Sequence, residues 1–313
     1  MNKIIGLDLG GTFIKIGIVT EKGKILIKKE VPTPKTRDRM KIISVMSEGI
    51  NSYLKSYNKT EFTGIGIGTP GLVDKNGKVF LAPNLPDWNN LNLKKIFERK
   101  YSLPVKVEND AKAFAWGEYK FGAGKGFKNI ICVTLGTGFG GAVILNGKLL
   151  KGNKYSAVEM GHMPIYYKGP KCNCGNLGCI ERYVGAEYIA EMARKKLKGK
   201  KSLITEIVGG NLSKITPITI EKAYQRGDKL AEEVWIETGT YLGAFFSGLV
   251  NLLNPQIIII GGGIAQVGDI LFSTIKKVVD KRSFYLLAKD VKVVPAKLGK
   301  EAGIISCASL FLS

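Results

Sequence analysis

Three of the five cysteines and the single histidine of this chain lie within eighteen positions of one another. They are His162, Cys172, Cys174 and Cys179. Thiolates and imidazole at short spacings in a loop suit a four-coordinate zinc site, and four protein ligands leave no open position for water. The pattern therefore predicts a structural Zn²⁺ site. We expect the two remaining cysteines, Cys132 and Cys307, to be reduced buried thiols.

Two carboxylates flank this cysteine-rich segment. Glu159 stands three residues before His162, and Glu181 stands two residues after Cys179. A zinc ion bound here would fix both carboxylates and the imidazole within one short irregular loop. We therefore expect the metal to organise polar side chains that it does not itself bind.

Two glycine turns each follow a predicted strand. Residues 10–12 (Gly10, Gly11, Thr12) follow the strand at 4–9, and residues 136–138 (Gly136, Thr137, Gly138) follow the strand at 130–135. Glycine permits a positive φ and a close approach of backbone N–H groups to phosphate. Each turn alone could be an ordinary hairpin turn, but two such turns facing across a cleft would hold a polyphosphate from both sides. Asp8, at the end of the first strand, could hold a hydrated Mg²⁺ that bridges the phosphates.

Residues 136–141 also fit the G-x-G-x-x-G pattern of dinucleotide-binding proteins, with Glu159 eighteen residues beyond it. That pattern requires the last glycine to open a helix whose N-terminus accepts the pyrophosphate. Here an apolar strand pattern at 142–145 leads into the turn Asn146-Gly147. An Asn-Gly pair is typical of a β-hairpin. The context therefore excludes the dinucleotide-binding interpretation.

Asn109 and Asp110 stand between a strand predicted at 105–108 and a helix predicted at 111–119. Either side chain could cap the helix N-terminus. Asp110 could equally be a general base, because active sites of α/β proteins form at the carboxyl ends of strands. The local sequence leaves both interpretations open.

Strands and helices alternate along the chain, which indicates an α/β protein. In the first half, strands are predicted at 4–9, 13–19, 25–31, 62–68 and 105–108, with helices at 39–57, 91–100 and 111–119 and a polar stretch at 69–88. In the second half, a strand at 130–135 and its partner precede a loop-rich segment at 152–182, helices at 185–198 and 230–253, a strand at 257–260 and a helix at 301–312.

The opening strand–turn–strand unit is repeated 126 residues later. At this offset, five residues are identical to their counterparts, namely Ile4, Ile5, Leu9, Gly10 and Phe13. The repeat predicts two domains that each begin with the same unit. We expect an N-terminal domain at 1–112, completed by a C-terminal helix at 300–313, and a larger domain at 113–299 that carries the zinc loop.

Composition excludes several classes of protein. The chain has 313 residues, of which 45% are hydrophobic, and no apolar run is long enough to cross a membrane. Asp8 interrupts the segment where a signal peptide would be apolar, and five cysteines are too few for a secreted disulfide scaffold, so we expect a cytoplasmic protein. The net charge is +21, yet the lysines are scattered, and their one cluster, at 195–201, lacks the aromatic residues that stack on bases. We expect neither a nucleic-acid nor a membrane partner.

The segment Glu159-Met160-Gly161-His162, followed by residues 172–181, closely resembles the ExGH and CxCGxxGCxE signatures of the ROK family of sugar kinases. The resemblance runs from the strand at 4–9 to the helix at 303–312. It implies the actin-like, hexokinase-type ATPase fold, which is α/β with two duplicated ribonuclease H-like domains and a cleft between them. It also implies ATP-dependent phosphorylation of a hexose, with glucose to glucose 6-phosphate as the expected reaction.

The resemblance assigns nucleotide-binding roles to matching positions. Gly10, Gly11 and Thr12 would form the first phosphate loop, with Asp8 and Lys15 beside it. Gly136, Thr137 and Gly138 would form the second phosphate loop, and Gly261, Gly262 and Gly263 the loop of the adenosine pocket. The implied cofactors are ATP with Mg²⁺ and a structural Zn²⁺.

The resemblance also assigns the sugar site. Asp110 would be the catalytic base, and the sugar contacts would come from Asn109, Asp110, Glu159, His162 and Glu181, with Gly71 and Asn84 as looser matches. His162 would bind zinc through one ring nitrogen and present the other to a sugar hydroxyl. We expect a homo-oligomer, a dimer or a tetramer, that binds a hexose and ATP.

Other functions remain in view. An N-acylhexosamine kinase or a fructokinase of the same family would use the same residues. A sugar-responsive transcriptional repressor is disfavoured, because such family members carry a helix-turn-helix domain ahead of the first strand, which here begins at residue 4. A non-catalytic actin-like or chaperone-like ATPase is disfavoured by the zinc ligands and by Asn109-Asp110.

Overall fold

A computed structural model describes residues 2–82 and 85–312. The chain forms two compact units. The first consists of Met1–Gly126, Lys148–Val158 and Ala296–Ser313, and the second of Phe127–Gly147 and Glu159–Pro295. Among the described residues, no helix is both long and apolar enough to cross a membrane.

The elements up to residue 121 are β1 (Lys3–Leu9), β2 (Phe13–Thr20), β3 (Ile25–Pro32), α1 (Arg39–Leu54), β4 (Phe62–Thr69), β5 (Leu72–Val73), β6 (Lys78–Leu81), β7 (Leu91–Asn92), α2 (Leu93–Tyr101), β8 (Val105–Asn109) and α3 (Asp110–Phe121). The later elements are β9 (Ile130–Leu135), β10 (Phe139–Leu145), β11 (Lys148–Leu149), α4 (Glu181–Val184), α5 (Ala186–Lys196), α6 (Leu203–Ile207), α7 (Pro217–Gln225), α8 (Lys229–Leu253), β12 (Ile257–Gly261), α9 (Asp269–Arg282), α10 (Tyr285–Ala288), β13 (Lys292–Pro295) and α11 (Ala302–Ser309).

The main sheet of the first unit has the strand order β3-β2-β1-β4-β8. Strands β1, β4 and β8 are parallel, with Asp8 beside Gly68 and Thr69 beside Asn109. Because parallel strands end at the same edge of a sheet, the segments that follow them leave from one place. The turn after β1, the loop after β4 and the start of α3 therefore share this edge.

The sheet of the second unit repeats this arrangement. Strand β9 pairs antiparallel with β10, as β1 does with β2, and parallel with β12, as β1 does with β4. Thr134 lies beside Gly261, so the turn after β9 and the loop after β12 also leave from a common edge. The duplication predicted from the 126-residue offset is confirmed in the strand pairing.

Helix α11 packs directly on the first sheet. A Cβ atom added to Gly6 would lie 2.2 Å from the carbonyl oxygen of Ile304, and one added to Gly66 would lie 1.8 Å from that of Cys307. Side chains at these two strand positions would hold the helix away, so glycine permits the close approach. The terminal helix therefore packs on the first domain, as the sequence predicts.

The observed division of the chain differs from the predicted one. A boundary after residue 112 would cut α3, whereas the first unit continues to Gly126 and the chain returns to it at Ala296. Helix α3 packs against α11, where a Cβ on Gly117 would lie 2.0 Å from Ser306 Oγ and Trp116 Nε1 donates to the Ser309 carbonyl at 3.1 Å. This packing places α3 with the first sheet.

Several elements lie where the sequence predicted none. The polar stretch at 69–88 contains β5 and β6, which form a small sheet with β7, and Val73, Val79 and Trp88 are buried there. Two-residue strands are too short for a periodic pattern to indicate them. The region between the predicted helices and strands of the second half also contains α6, α7, α9, α10 and β13. Helix α1 ends at Leu54, three residues before its predicted end.

The close packing of α11 predicts a stability effect at Gly66. We expect Gly66→Ala to lower the free energy of unfolding by about 3 kcal/mol, because the added methyl group would displace the helix. Gly248→Ala is the matched control, since a Cβ on this α8 glycine meets nothing within 4 Å. The control should be neutral or stabilised by about 0.5–1 kcal/mol. Urea unfolding measures both, and equal free energies for the two variants would contradict the packing described.

Candidate active site and metal site

Asp8 occupies the end of β1, opposite Lys15 on β2. A Cβ atom on Gly303, at the start of α11, would lie 2.0 Å from Asp8 Oδ2, so the helix covers the carboxylate closely. Burial, and to a lesser degree the negative charge of Asp110, raises the pKa of Asp8 to about 6, while Lys15 opposes the shift. A carboxylate in this position favours either a proton or a cation beside it.

Asn109 and Asp110 join β8 to α3, and the structure separates their roles. Asn109 is the N-cap, and its Oδ1 accepts the backbone N–H of Lys112 at 3.2 Å. Asp110 is the first residue of the helix and is exposed. Its Oδ1 accepts the backbone N–H of Ala111 at 2.8 Å and the Asn109 side-chain amide at 3.0 Å. The capping role therefore falls to Asn109, and Asp110 presents an oriented carboxylate at the sheet edge.

Gly71 lies at the same edge. Its carbonyl oxygen accepts the Asn109 side-chain amide at 3.1 Å, which joins the loop after β4 to the end of β8. The other residue matched loosely to a sugar contact, Asn84, lies outside the described residues.

The first glycine turn follows Asp8. Gly10 N–H donates to the carbonyl of Phe13 at 3.0 Å, and Thr33 Oγ1 donates to the carbonyl of Gly10 at 2.8 Å. Gly11 and Thr12 are exposed at its tip. The sequence does not predict this role for Thr33. Thr33 lies 21 positions after Thr12, and no local pattern indicates that its side chain contacts the turn.

None of Gly10, Gly11, Gly136 and Gly138 has a positive φ. The prediction that glycine occupies these two turns because it can adopt a positive φ is therefore wrong. Close packing explains two of them instead, because a Cβ on Gly10 would lie 2.8 Å from the Phe13 carbonyl oxygen and one on Gly138 would lie 2.6 Å from Glu181 Oε2. The second turn is therefore packed against Glu181, one of the residues predicted to bind the sugar.

Glu181 connects the second turn to the cysteine-rich loop. Its Oε2 accepts the backbone N–H of Phe139 at 2.9 Å, immediately after Gly138. The turn itself is closed by Gly136 N–H donating to the carbonyl of Gly138 at 3.0 Å. Glu181 begins α4 and stands two residues after Cys179. Its carboxylate therefore links the second glycine turn to the end of the cysteine-rich loop.

The loop of three glycines after β12 lies beside the same strand end. Gly262 has a φ of 90°, and a Cβ there would lie 2.1 Å from the carbonyl oxygen of Leu135. Gly261 is the last residue of β12, and Gly263 precedes a 3₁₀ turn at Ile264–Val267. Here glycine is required both by the backbone conformation and by the approach to β9.

The predicted zinc ligands converge. One ligand atom from each of His162, Cys172, Cys174 and Cys179 lies within 4.8 Å of all the others. Cys172 Sγ is 3.7 Å from His162 Nδ1, and Cys174 Sγ is 3.7 Å from Cys179 Sγ. Burial, and then the neighbouring thiols, raises the pKa of Cys179 to about 12. The four residues form a group of donors that could hold one metal ion.

The backbone around these donors is tightly folded. Glu159 precedes a 3₁₀ turn at Met160–His162, and its carbonyl oxygen accepts the backbone N–H of His162 at 3.1 Å. Gly178 has a φ of 68°, and a Cβ there would lie 1.7 Å from the Tyr166 carbonyl oxygen. Ile180 N–H donates to the carbonyl of Met163 at 2.9 Å. The two flanking carboxylates belong to this tightly folded segment, since Glu159 is three residues from His162 and Glu181 is two residues from Cys179.

The sequence profile of the ROK family matches residues 4–313, and the chain belongs to this family. The glucokinase of Thermotoga maritima is 37% identical to this chain, over 98% of this chain and 96% of that protein. The xylose repressor of Caldicellulosiruptor bescii is 31% identical, over 100% of this chain and 79% of the repressor. A crystal structure of a ROK family glucokinase from Streptomyces griseus, in complex with glucose and AMPPNP, matches with a TM-score of 0.84 at 33% identity over 99% of both chains. The chain thus has the actin-like α/β fold of ROK sugar kinases.

The surroundings of Asp8 predict a pH-dependent stability. Because the folded-state pKa is raised above 3.8, to about 6, the protonated form favours folding below pH 3.8, and this contribution is lost as the pH rises through 6. Without Mg²⁺, Asp8→Asn should therefore become more stable relative to wild type by about 2–3 kcal/mol between pH 4 and pH 8.

Urea unfolding at a series of pH values measures this difference. Asp87→Asn, which changes an exposed carboxylate in the same unit, is the control and should show no such trend. A difference between Asp8→Asn and wild type that is constant across this pH range would show that Asp8 is not destabilised by its surroundings.

Proposed function

We propose that this protein is an ATP-dependent hexose kinase that converts glucose to glucose 6-phosphate. The observation that carries the proposal is the oriented carboxylate of Asp110 at the sheet edge that also holds Asp8. Full-length similarity to proteins named glucokinase, and to one solved with glucose and an ATP analogue, supports it.

Asp110 is proposed as the general base. A sugar hydroxyl has a pKa far above neutral, so its attack on the γ-phosphoryl group requires a group that accepts the proton in the transition state. The Ala111 N–H and the Asn109 amide fix the direction of the Asp110 carboxylate. A base fixed in this way loses little orientational freedom when the sugar binds.

The phosphates of ATP are proposed to bind at the glycine turns, Gly10-Gly11-Thr12 and Gly136-Thr137-Gly138, with Lys15 opposite Asp8. Backbone N–H groups without neighbouring side chains can approach anionic oxygens closely. Asp8 is the residue that would hold Mg²⁺ through its water ligands, and a bound Mg²⁺ would neutralise charge on the phosphates. The raised pKa of Asp8 fits a site built for a cation.

The remaining sites follow from the matched positions. Asn109, Glu159, His162 and Glu181 are proposed to bind the sugar hydroxyls, with Gly71 and Asn84 as further contacts. Gly261, Gly262 and Gly263 are proposed to border the adenosine. Carboxylates and amides suit a sugar because a missing hydroxyl would leave a buried polar group without a partner.

Zinc is proposed as the metal held by His162, Cys172, Cys174 and Cys179. A tetrahedral zinc with bonds of about 2.0–2.3 Å separates its ligand atoms by about 3.5–3.8 Å. The separations of Cys172 Sγ from His162 Nδ1 and of Cys174 Sγ from Cys179 Sγ are both 3.7 Å and fit this geometry. With Nδ1 directed at the cysteines, Nε2 is the ring nitrogen available to a sugar hydroxyl.

Among hexoses, glucose is favoured by the names of relatives that are 34–37% identical to this chain, which are glucokinases. N-acylhexosamines and fructose are the alternatives within the family. The repressor alternative rests on relatives of lower identity, of whose length this chain spans 79% or less. Assembly as a dimer or tetramer and a cytoplasmic location stay predictions.

The role of Asp110 predicts the kinetics of a substitution. With glucose and ATP–Mg²⁺, the wild-type protein should release ADP faster than with N-acetylmannosamine or fructose. Asp110→Asn should lower kcat by about 10²–10⁴-fold while glucose still binds, because the amide keeps a hydrogen-bonding group but removes the base. Asp87→Asn should match wild type. A coupled ADP-release assay and glucose titration calorimetry measure these quantities, and wild-type kcat in Asp110→Asn would remove Asp110 from the mechanism.

The zinc site predicts a selective loss of sugar recognition. We expect one zinc per chain, and we expect Cys179→Ser to lower the zinc content and raise KM for glucose by about tenfold or more, because Glu159, His162 and Glu181 lose their fixed geometry. Nucleotide affinity should be nearly unchanged, since four protein ligands leave the metal no position for ATP.

Metal analysis and calorimetric titration with glucose and with an ATP analogue test this expectation. Cys132→Ala, which removes a buried thiol outside the cluster, is the control. Unchanged zinc content in Cys179→Ser would contradict the ligand assignment. Equal loss of affinity for both ligands, together with a lower melting temperature, would show that zinc stabilises the fold in general.

A further inference from the structure

A cavity of about 520 Å³ lies within the first unit, beside the outer edge of β8. Its walls come from β8, α2, α3, the β5–β6 turn, β11 with the segment that follows it, and the residues after α11. Five lysines line it, namely Lys75, Lys94, Lys106, Lys148 and Lys151. Two acidic residues, Asp74 and Glu108, share the lining. The cavity is therefore rich in positive charge.

Asp74 is occupied by backbone N–H groups, whereas Glu108 pairs with one lysine of the lining, Lys151. Asp74 Oδ1 accepts the backbone N–H groups of Asn76 at 2.8 Å and Lys78 at 2.9 Å, which closes the β5–β6 turn. Glu108 is buried, its Oε1 accepts the backbone N–H of Asn109, and its Oε2 lies 3.1 Å from Lys151 Nζ. Lys94 Nζ lies 3.8 Å from Glu98 Oε1, which is outside the lining, so Lys94 and Lys151 each have one carboxylate partner. Among the described residues, neither lining carboxylate forms an ion pair with the three other lysines, which are Lys75 in the β5–β6 turn, Lys106 on β8 and Lys148 on β11.

The lysine charges repel one another at this position. Partial burial, and then the positive charges of Lys151 and Lys94, lowers the pKa of Lys106. Lys106 Nζ donates to the carbonyl of Leu310 at 2.9 Å, which places the ammonium group at the cavity wall. Within residues 2–82 and 85–312, no carboxylate forms an ion pair with it. Such a group of cations is stabilised when an anion binds between them.

The rest of the wall is apolar and held in place. Trp116 and Leu149 line it, and Tyr155 adds an aromatic ring. Tyr155 has a φ of 62°, which a residue with a bulky side chain adopts only when its surroundings fix it. Lys112 Nζ donates to its carbonyl oxygen at 2.9 Å and fixes the segment to α3. The cavity thus combines cations with a rigid aromatic surface.

We propose that this cavity binds a small phosphorylated organic molecule, with its phosphate between Lys94, Lys106 and Lys151 and its organic part against Tyr155 and Trp116. The volume is in the range of small-molecule sites. None of the proposed catalytic or phosphate-turn residues lines the cavity, so it is a second site. The inference stands on its own contacts and not on the proposed kinase function.

Binding to the intact protein tests the proposal directly. Wild-type protein saturated with glucose, Mg²⁺ and AMPPNP is titrated with inorganic phosphate, pyrophosphate and glucose 6-phosphate, by calorimetry and by tryptophan fluorescence. We expect one further site per chain, with glucose 6-phosphate bound more tightly than inorganic phosphate. Lys94→Gln/Lys106→Gln should weaken that site by about tenfold or more, because each lost charge-assisted hydrogen bond costs about that factor.

Lys22→Gln/Lys24→Gln is the matched control, since it removes the same charge from an exposed turn of the same unit. It should bind as wild type does, and Trp116→Phe should lose the fluorescence change. No further site in wild type, equal weakening in both double variants, or no preference for glucose 6-phosphate over phosphate would overturn the proposal. If the protein binds no AMPPNP or glucose, the kinase proposal fails. The difference in glucose 6-phosphate affinity between the two double variants still decides whether the lysine-lined cavity binds a phosphorylated molecule.

Discussion

The close packing of α11 against glycines of β1 and β4 is the constraint on which the first unit depends. Gly6 and Gly66 let backbone meet backbone, and the same approach brings Gly303 against Asp8. A carboxylate covered in this way loses hydration, and its pKa rises to about 6. The packing that stabilises the fold thus creates a position that favours a cation, and the first glycine turn, which we propose as a phosphate site, begins directly after it.

The register of the parallel strands then determines which residues meet. Asp8, Thr69 and Asn109 lie at the ends of three adjacent strands, so Asp110 starts its helix at the edge that holds Asp8. The second unit repeats the pattern, with two glycine loops leaving β9 and β12 together. Elements far apart in the sequence therefore contribute to one edge because parallel pairing aligns their carboxyl ends.

Much of this could be predicted from the sequence because its signals are local. The zinc-ligand candidates are separated by short spacings, and the duplicated strand–turn–strand unit is visible in five identities at one offset. The choice between Asn109 and Asp110 as helix cap could not be made locally, since it depends on which side chain reaches Lys112 N–H.

The small β5–β6–β7 sheet was missed because its strands are too short to show a period, although Val79 is fully buried there. The wrong explanation of the turn glycines has a similar cause, because contacts such as Gly138 with Glu181 join residues 43 positions apart.

The most direct test of this account is the titration of the Asp8 carboxylate, followed by carbon NMR of protein labelled at aspartate and assigned with Asp8→Asn. In the ligand-free protein, we expect a pKa of about 6 for Asp8. With Mg²⁺ and AMPPNP bound, we expect a pKa below the ordinary value for aspartate, because a nearby divalent cation favours the ionised form. An ordinary pKa of about 4 in the ligand-free protein, unchanged by Mg²⁺ and nucleotide, would contradict the account.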